Sequence, residues 1–468
     1  MTTHADAPTH ATTAAHTDAP NAANAPTAAH ADAAARTDAA AHTGTDATTG
    51  STRAAETDAT ASAPHADAEQ VIGEFYSEFP YPWHATRLTA PDDPALHPSL
   101  LSQELGDFTH RRIPPGARVW VPGCGVNQAL IVALRFPDAE VVGSDVSTDS
   151  LDLCRTARDQ VGASNLTLRE EGISDAPYRQ EFDYVVCTGV IHHHPEPGML
   201  LARLAAALKP SGVLELMVYN AYHRREITAF QEAMRLLGRE QDLWFARRVA
   251  GSLTRDSELT RQLRADLGEP EEQFADSWLN PCERNFTVRT LHETARAAGL
   301  ALEAPCASPL ATGLDLYDWR VPCADAQLRR QADGLDDTTR WQVTQALSVD
   351  RSPLLWFYLR RDDNPLPALR EVDRDEAFLD TAFVPVEARE RVWVMGRTGG
   401  YRALEEPQPL VTGPASALPW LPGASDGERT VRELLADRGE VPSGDELRDL
   451  RIRLTTPSFP YLRAVTGP

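Results

Sequence analysis

Short apolar runs alternate with longer amphipathic runs from Ala117 onward, and this alternation restricts the fold more than any other feature of the chain. Apolar runs of strand length, separated by runs of helix length, are typical of a parallel sheet covered by helices. The pattern therefore predicts an α/β fold. Its strands are expected at residues 118–121, 140–143, 166–169, 182–187, 212–219, 300–303 and 353–359.

Composition divides the chain into three parts. Residues 1–68 are almost wholly Ala, Thr, Asp, His, Pro and Asn, and we expect a disordered tail because such a segment buries too little apolar surface to offset the entropy of ordering it. Residues 69–363 carry the alternating pattern, and charged helical sequence at about 224–280 predicts a cap inserted into that domain. Residues 364–468 are expected to form a small accessory domain of winged-helix-like character.

Charge and cysteine content narrow the range of partners. A formal net charge of −23 disfavours nucleic acid, whose binding depends on Lys and Arg displacing counterions from phosphates. No apolar run approaches the roughly 18 residues that span a bilayer, so no membrane partner is expected. The 6 cysteines are scattered and include no Cys-x-x-Cys pair, which predicts reduced thiols in a cytoplasmic protein and no metal site. These features leave the oligomeric state open.

A glycine turn is the first candidate site. The predicted strand at 118–121 runs into Gly123 and Gly125 and then into a helix. Glycines let the backbone approach a ligand, and a helix N-terminus offers free N–H groups and positive potential. Asp145 ends the next predicted strand, and a carboxylate there can accept both hydroxyls of a ribose. Together these residues predict a site for an adenosine-containing ligand.

Two later segments complete a resemblance to a known family. Residues 182–194 form an apolar strand that leads into a loop with three consecutive histidines, and residues 209–216 form a Lys-Pro turn and a further strand. In this order, the glycine turn, the acid, the histidine loop and the Lys-Pro turn resemble class I S-adenosylmethionine-dependent methyltransferases. The resemblance spans roughly residues 75–360. It is greatest to bacterial small-molecule methyltransferase domains with a Tyr-Pro-x-Trp element before the sheet, for which this chain has Tyr81-Pro82-Trp83-His84.

This resemblance implies a Rossmann-like sheet, a methyl-transferring activity and S-adenosyl-L-methionine as cofactor. The residues it places around the cofactor are Gly123, Cys124, Gly125, Asn127, Gln128, Asp145, Val146, Gly172, Ile173 and Thr188. It places Tyr81, Trp83, Tyr219 and Tyr222 around the substrate.

Two positions depart from the family pattern. Many members have an acid two residues before the first glycine, where this chain has Val121. An acid that contacts the adenine amine often follows the third strand, and Gly172 stands there, with Glu170, Glu171 and Asp175 nearby. Which of these acids substitutes, if any, is left open by the sequence.

The histidine loop supplies the candidates for catalysis. Methyl transfer requires alignment of the reacting atoms, and a base if the nucleophile carries a proton. His192 and His193 stand where the substrate would meet the methyl group, and a histidine titrates in a range suited to that task. The alternative is that these rings pack against the sheet or cap the following helix. Likewise, the aromatic stretch at 75–83 is either a lid over the site or core for an N-terminal helix.

The leading hypothesis is methyl transfer to oxygen or nitrogen of a small molecule or short peptide in specialised biosynthesis. A second hypothesis is a non-catalytic methyltransferase fold that presents the C-terminal domain to a partner. A related possibility is that the C-terminal domain delivers a peptide substrate to the methyltransferase domain. A third is an NAD(P)-dependent oxidoreductase. The sequence disfavours the third, because Gln128 stands where a dinucleotide-binding turn has its last glycine.

Overall fold

A computed structural model describes residues 63–80, 85–307, 318–397, 399–410, 427–439, 442 and 444–465. The expected disordered tail lies outside these ranges up to residue 62, and a helix begins at Ala63. Tyr81 and Trp83, which the resemblance places at the substrate, also lie outside the described residues.

Helices and strands alternate along most of the described chain. The helices are α1 (Ala63–Glu78), α2 (Leu96–Glu104), α3 (Gln128–Arg135), α4 (Thr148–Val161), α5 (Pro197–Ala207), α6 (Arg225–Leu236), α7 (Leu243–Ser252), α8 (Glu258–Asp266), α9 (Glu271–Leu279), α10 (Val288–Ala297), α11 (Ala326–Asp333), α12 (Asp337–Ser348), α13 (Glu371–Leu379), α14 (Val431–Arg438) and α15 (Gly444–Thr455). None of these helices combines the length and apolar character needed to cross a membrane.

The strands are β1 (Arg87–Pro91), β2 (Arg118–Pro122), β3 (Glu140–Asp145), β4 (Leu166–Glu170), β5 (Phe182–Thr188), β6 (Leu208–Val218), β7 (Leu300–Pro305), β8 (Leu355–Arg361), β9 (Phe383–Pro385), β10 (Arg389–Met395), β11 (Tyr401–Ala403), β12 (Gln408–Pro409), β13 (Phe459–Pro460) and β14 (Leu462–Ala464).

A central sheet has the strand order β4-β3-β2-β5-β6-β8-β7. The pairs from β4 to β6 are parallel, whereas β8 runs antiparallel to both β6 and β7. This arrangement confirms the predicted Rossmann-like α/β fold. The chain leaves β2 toward one edge of the sheet and returns to β5 on its other side, so a crevice opens at the carboxyl ends of these two strands.

Alternating side chains of the strands divide the core into two layers. Val119 and Val121 of β2 point into the layer that holds α3 and α4, whereas Trp120 between them points into the layer that holds α5 and α10. Strands buried on both faces read as continuous apolar runs, which is the pattern that predicts them from sequence. Helix α10 shows how local sequence fixes an element, because Thr287 caps its start and Gly299 follows its end in the left-handed conformation.

Helices α6 to α9 form the inserted cap expected from the charged sequence. Their inward faces share a core of their own that includes Phe230, Phe274 and Trp278. The buried indole N–H of Trp278 donates to Asp266 over 2.8 Å, so this polar group is satisfied inside the cap. Helix α1 packs against the cap through Phe75 and Phe79.

The C-terminal region is joined to the segment that precedes the central sheet. Strand β10 pairs antiparallel with β1 along its length, and β11 and β12 extend this second sheet. In addition, the side chain of Gln103 on α2 donates to the carbonyls of Thr455 and Leu462 over 3.0 and 3.1 Å, and accepts from the Ala464 amide over 2.7 Å. The boundary expected near residue 364 and its winged-helix-like character stay predictions, but the region does not stand apart from the rest.

Replacement of Gln103 tests whether this single side chain ties α2 to the C-terminal region. Gln103→Ala leaves buried backbone groups without partners, and we expect the free energy of unfolding to fall by about 1–3 kcal/mol. Urea unfolding followed by circular dichroism measures the change. The matched control is Gln331→Ala, an exposed position on α11, which should change stability by less than about 0.5 kcal/mol. Equal effects of the two substitutions would contradict this role.

Candidate functional site

A cavity of about 430 Å³ opens at the carboxyl ends of β2, β3 and β5 and extends across the sheet toward β8. It is lined by every residue predicted to contact the cofactor, namely Gly123, Cys124, Gly125, Asn127, Gln128, Asp145, Val146, Gly172, Ile173 and Thr188. The fold therefore brings this whole set together at the crevice. Within the described ranges, no three His, Cys, Asp or Glu side chains come together so that they could hold a metal ion.

The glycine turn fits closely under the loop that follows β5. Gly123 has φ of +62°, and a Cβ there would lie 2.5 Å and 2.7 Å from the two Cγ atoms of Val190. Gly125 is also left-handed, with φ of +49°. A side chain at Gly123 would be strained in its backbone and would collide with Val190, so the sequence has a physical reason to use glycine there.

Asp145 holds this turn in place. One oxygen of its carboxylate accepts from the Gly125 amide over 2.7 Å, and the other accepts from the Ser147 amide over 2.9 Å. Burial raises the pKa of Asp145, and the amide donors oppose that rise. Each carboxylate oxygen has a second lone pair, so the group can still accept from a ligand in the cavity. Sequence reasoning identified the residue but not its structural role in bridging two strand ends.

A carboxylate occupies the place left empty by Gly172. A Cβ at Gly172 would lie 2.0 Å from an oxygen of Glu69, and the Ser174 amide donates to the other oxygen of Glu69 over 3.2 Å. Glu69 belongs to α1 and lines the cavity, as Glu171 does. The acid missing after the third strand is thus replaced in space by one from the N-terminal helix. No local pattern could have indicated this substitution, because the two residues are far apart in sequence.

The structure separates the two histidines predicted for catalysis. His193 lines the cavity, whereas His192 is fully buried and does not. The ring of His192 stacks on Tyr219 with centroids 3.7 Å apart, and burial holds its pKa well below the usual value. A base must reach the proton that it removes, so the geometry contradicts the prediction for His192. The alternative, a ring packed in the core, describes it correctly.

His193 has a defined tautomer. Its Nδ1 lies 3.1 Å from the Cys282 carbonyl oxygen, which can only accept, so Nδ1 carries the hydrogen and Nε2 keeps its lone pair. Burial lowers the pKa of His193, although the charge of Asp276 opposes the change. The ring is therefore neutral at pH 7. Tyr76 lies beside it with ring centroids 6.2 Å apart, and its hydroxyl donates to Asp276 over 2.8 Å.

Tyr219 and Tyr222 do not line the cavity, in contrast to the prediction that they contact the substrate. Tyr219 lies between His192 and the guanidinium of Arg224, whose central carbon is 4.1 Å from the centre of the tyrosine ring. Arg224 in turn donates to Glu283. Tyr219 therefore packs against the histidine loop on the side away from the cavity. Its ring is covered by His192 and by Arg224 and is not available to a substrate.

The described part of the aromatic stretch, residues 75–80, contributes to the core and to the cavity wall. Phe75 and Phe79 are buried against the cap, whereas Tyr76 faces the cavity on the same helix. The core alternative therefore describes Phe75 and Phe79 correctly, whereas the lid stays a prediction.

Sequence reasoning missed the far end of the cavity. Its polar lining there includes Glu104, Tyr184, Glu215, Trp356 and Tyr358. The one available signal was Glu215, a lone acid inside an apolar strand. Glu104 gave no comparable signal, because it lies on a helix whose packing partners come from distant parts of the chain.

Comparison with known proteins places this site in context. Residues 122–214 match the methyltransferase-domain family. An uncharacterized protein of Synechococcus sp. is 30% identical over 272 residues, which cover 55% of this chain and 63% of that protein. A ubiquinone biosynthesis O-methyltransferase of Actinobacillus pleuropneumoniae is 31% identical over 111 residues, which cover 22% of this chain and 47% of that protein. The chain thus spans less than two thirds of the length of either relative.

A solved structure shares the architecture. PKMT2 from Rickettsia typhi, in complex with AdoHcy, superposes with a TM-score of 0.51 and 16% sequence identity over 80% of this chain and 76% of that chain. At this identity the likeness concerns the fold alone.

The close fit of Gly123 is testable by substitution. Gly123→Ala should lower the free energy of unfolding by about 1–2 kcal/mol for its left-handed backbone and by about 1–3 kcal/mol more for the collision with Val190. Gly162→Ala is the matched control, because Gly162 is also left-handed, with φ of +75°, but has no atom within 4 Å of its Cβ position. Thermal and urea unfolding give both values. A cost at Gly123 no larger than at Gly162 would show that the contact with Val190 is unimportant.

Proposed function

We propose that this chain, which carries the sheet and glycine turn of a class I S-adenosylmethionine-dependent methyltransferase, transfers a methyl group from that cofactor to oxygen or nitrogen of a small molecule or short peptide. The observation that supports the proposal is the glycine turn, which Asp145 holds at the edge of a cavity of about 430 Å³. The family match at residues 122–214 includes both the turn and this acid.

The residues present fit the cofactor. The turn from Gly123 to Asn127 would hold its amino-acid end with backbone N–H groups, and no side chain at Gly123 obstructs the approach. Asp145 would accept the ribose hydroxyls, and Glu69 would accept the adenine amine in place of an acid at position 172. The cofactor would supply a methyl group on a sulfonium centre.

The remaining task of the protein is alignment and, for a protonated nucleophile, removal of a proton. His193 is the one histidine of the predicted pair that lines the cavity, and the lone pair of its Nε2 is the acceptor. Tyr76 of the N-terminal helix lines the same region, where it would limit access of water to the reacting atoms.

Both the relatives and the cavity support the proposed substrate class. The matching protein of Actinobacillus is named a ubiquinone biosynthesis O-methyltransferase, which supports a small acceptor and a biosynthetic role. Pro457 and Ser458 of the C-terminal region line the cavity, so this region forms part of the wall that a substrate would meet. That contact is also compatible with delivery of a short peptide by the C-terminal region.

The oxidoreductase alternative is less consistent with the site. The side chain of Gln128 donates to the hydroxyl of Thr188 and so crosses the space at the start of α3. A dinucleotide-binding turn has a glycine there, which lets the helix approach its strand closely.

Cofactor binding is the first test of the proposal. We expect S-adenosylhomocysteine to bind with micromolar affinity in titration calorimetry. Asp145→Ala and Glu69→Ala should each weaken binding by about 1–3 kcal/mol, or roughly fivefold to 150-fold, because ligand donors in the cavity lose their acceptor.

Asp159→Ala is the matched control, because Asp159 is an exposed acid on α4 that pairs with the neighbouring Arg158 and does not line the cavity. It should leave the affinity unchanged. Absence of binding to the intact protein would favour a non-catalytic methyltransferase fold.

A second test concerns His193. On any acceptor that the intact protein methylates, His193→Gln should lower kcat by about 100-fold or more while affinity for S-adenosylhomocysteine stays constant. Because the pKa of His193 is lowered, the rate of the intact protein should already be independent of pH at pH 7. His292→Gln on α10, outside the cavity, is the control. A normal kcat for His193→Gln at all pH values would exclude a base at this position.

A further inference from the structure

The far end of the cavity differs chemically from the cofactor end. We call it the acid compartment and define it by Glu104, Tyr184, Glu215, Trp356 and Tyr358. It is continuous with the glycine turn but lies on the side of the sheet where β6 pairs with β8. A molecule that reaches from the methyl group into the cavity would therefore meet these side chains.

Glu215 is fixed between two aromatic donors. Its carboxylate accepts from the Trp356 indole N–H over 2.9 Å and from the Tyr184 hydroxyl. The register of the sheet places Glu215 directly opposite Tyr358, so the carboxylate and both tyrosines face the same side. The side chain is half-buried and part of it faces the cavity.

Glu104 approaches the same space from α2. Its carboxylate accepts from the Ala307 amide over 2.5 Å and from the Tyr358 hydroxyl over 2.9 Å. Only 3% of the residue is exposed. The two glutamates are thus held in defined positions, Glu215 on β6 and Glu104 on α2. Tyr358 on β8 connects them, because it lies opposite Glu215 in the sheet and donates to Glu104.

The polar partners of both carboxylates are neutral. Across the described part of the chain, neither Glu104 nor Glu215 forms an ion pair within 4 Å. The positive charge of Arg451 lowers the pKa of Glu104, but Arg451 is itself paired with Glu371 and Asp375. The positive charge of Arg135 likewise lowers the pKa of Glu215, and Arg135 also lines the cavity. Because Arg135 is exposed, solvent screens its charge.

Burial without a paired cation disfavours the charged forms of both glutamates. It raises the pKa of Glu104 to about 8, with a contribution from the neighbouring Glu215, and it also raises the pKa of Glu215. Neutral donors compensate a buried carboxylate only in part, whereas a cation in contact with it favours the charged form and so opposes the effect of burial. Tyr184, Trp356 and Tyr358 add electron-rich ring faces, which also attract cations.

We infer that the acid compartment binds a positively charged nitrogen of the methyl acceptor, an ammonium or guanidinium group, through Glu215 and Glu104. This inference rests on the proposed methyl transfer, because it names the substrate class for the same cavity. A carboxylate or phosphate in this position would face two acids, and a neutral hydroxyl would not favour the charged forms of the two glutamates as a cation would. The charged nitrogen and the atom that receives the methyl group need not be the same.

Matched probe pairs test the inference without knowledge of the natural substrate. Phenethylamine is compared with 2-phenylethanol and phenylacetate, and butylamine with 1-butanol, by calorimetry or ligand-observed NMR on the full chain with and without S-adenosylhomocysteine. We expect the amines to bind about tenfold or more tightly than the alcohols, and phenylacetate to bind no better than the alcohols. Because Glu104 should ionise when the cation binds, the amines should also release protons at pH 7, which appears as a dependence of the heat on buffer ionisation.

Two variants identify the groups responsible. Glu215→Gln and Glu104→Gln keep the shape of the side chain, and the tyrosine hydroxyls can reverse their hydrogen bonds to accept from the new amide. Each should reduce the preference for the amine to less than about twofold, while affinity for S-adenosylhomocysteine and the thermal midpoint stay close to normal. Glu140→Gln, an exposed acid on β3, is the control and should retain the full preference.

The outcomes separate the two proposals. Equal binding of amines and alcohols, failure of both amines to bind, or an unchanged preference in both glutamate variants would overturn the acid compartment as a cation site, even if S-adenosylhomocysteine binds normally. An amine preference that depends on Glu215, in a protein that does not bind S-adenosylhomocysteine, would instead support the compartment and contradict methyl transfer.

Discussion

The hydrogen bond from the Gly125 amide to Asp145 is the interaction on which the site depends. It joins the carboxyl ends of β2 and β3, two neighbouring parallel strands, and so fixes the glycine turn relative to the acid. With the turn fixed, Gly123 can lie against Val190 and the loop after β5 can close the third side of the crevice. A buried carboxylate held by amides is also preorganised for ligand hydroxyls, because its orientation does not have to be selected on binding.

Both ends of the chain complete what the central sheet begins. Helix α1 brings Glu69 and Tyr76 over the cofactor end, and α2 brings Glu104 to the opposite end. Helix α2 is itself held by the C-terminal region through Gln103. A Rossmann-like sheet alone offers a general nucleotide crevice, so we expect the segments that surround the sheet to determine specificity.

The sequence predicts the features that depend on local patterns of residues. The strands, the glycine turn, Asp145 and the helical cap all follow from periodicity or from short motifs, and the structure contains each of them. What could not be predicted depends on long-range packing. Glu69 lies beside Gly172 only because α1 packs against the segment that follows β4, and the pairing of β1 with β10 has no local signal.

The histidine loop shows a second limit of sequence reasoning. Adjacent residues on a short turn point in different directions, so His193 reaches the cavity while His192 packs on Tyr219. Which of them does so depends on the surrounding elements, not on the motif. The same holds for Glu215, which is conspicuous in its strand but acquires chemical meaning only beside Tyr184, Trp356 and Glu104.

A crystal structure of the protein with S-adenosylhomocysteine tests the central claim most directly. The account predicts density beside the glycine turn, with the ribose hydroxyls within hydrogen-bond distance of Asp145, the adenine amine near Glu69 and the sulfur facing His193. Density elsewhere, or an undisturbed cavity at saturating ligand, would contradict it.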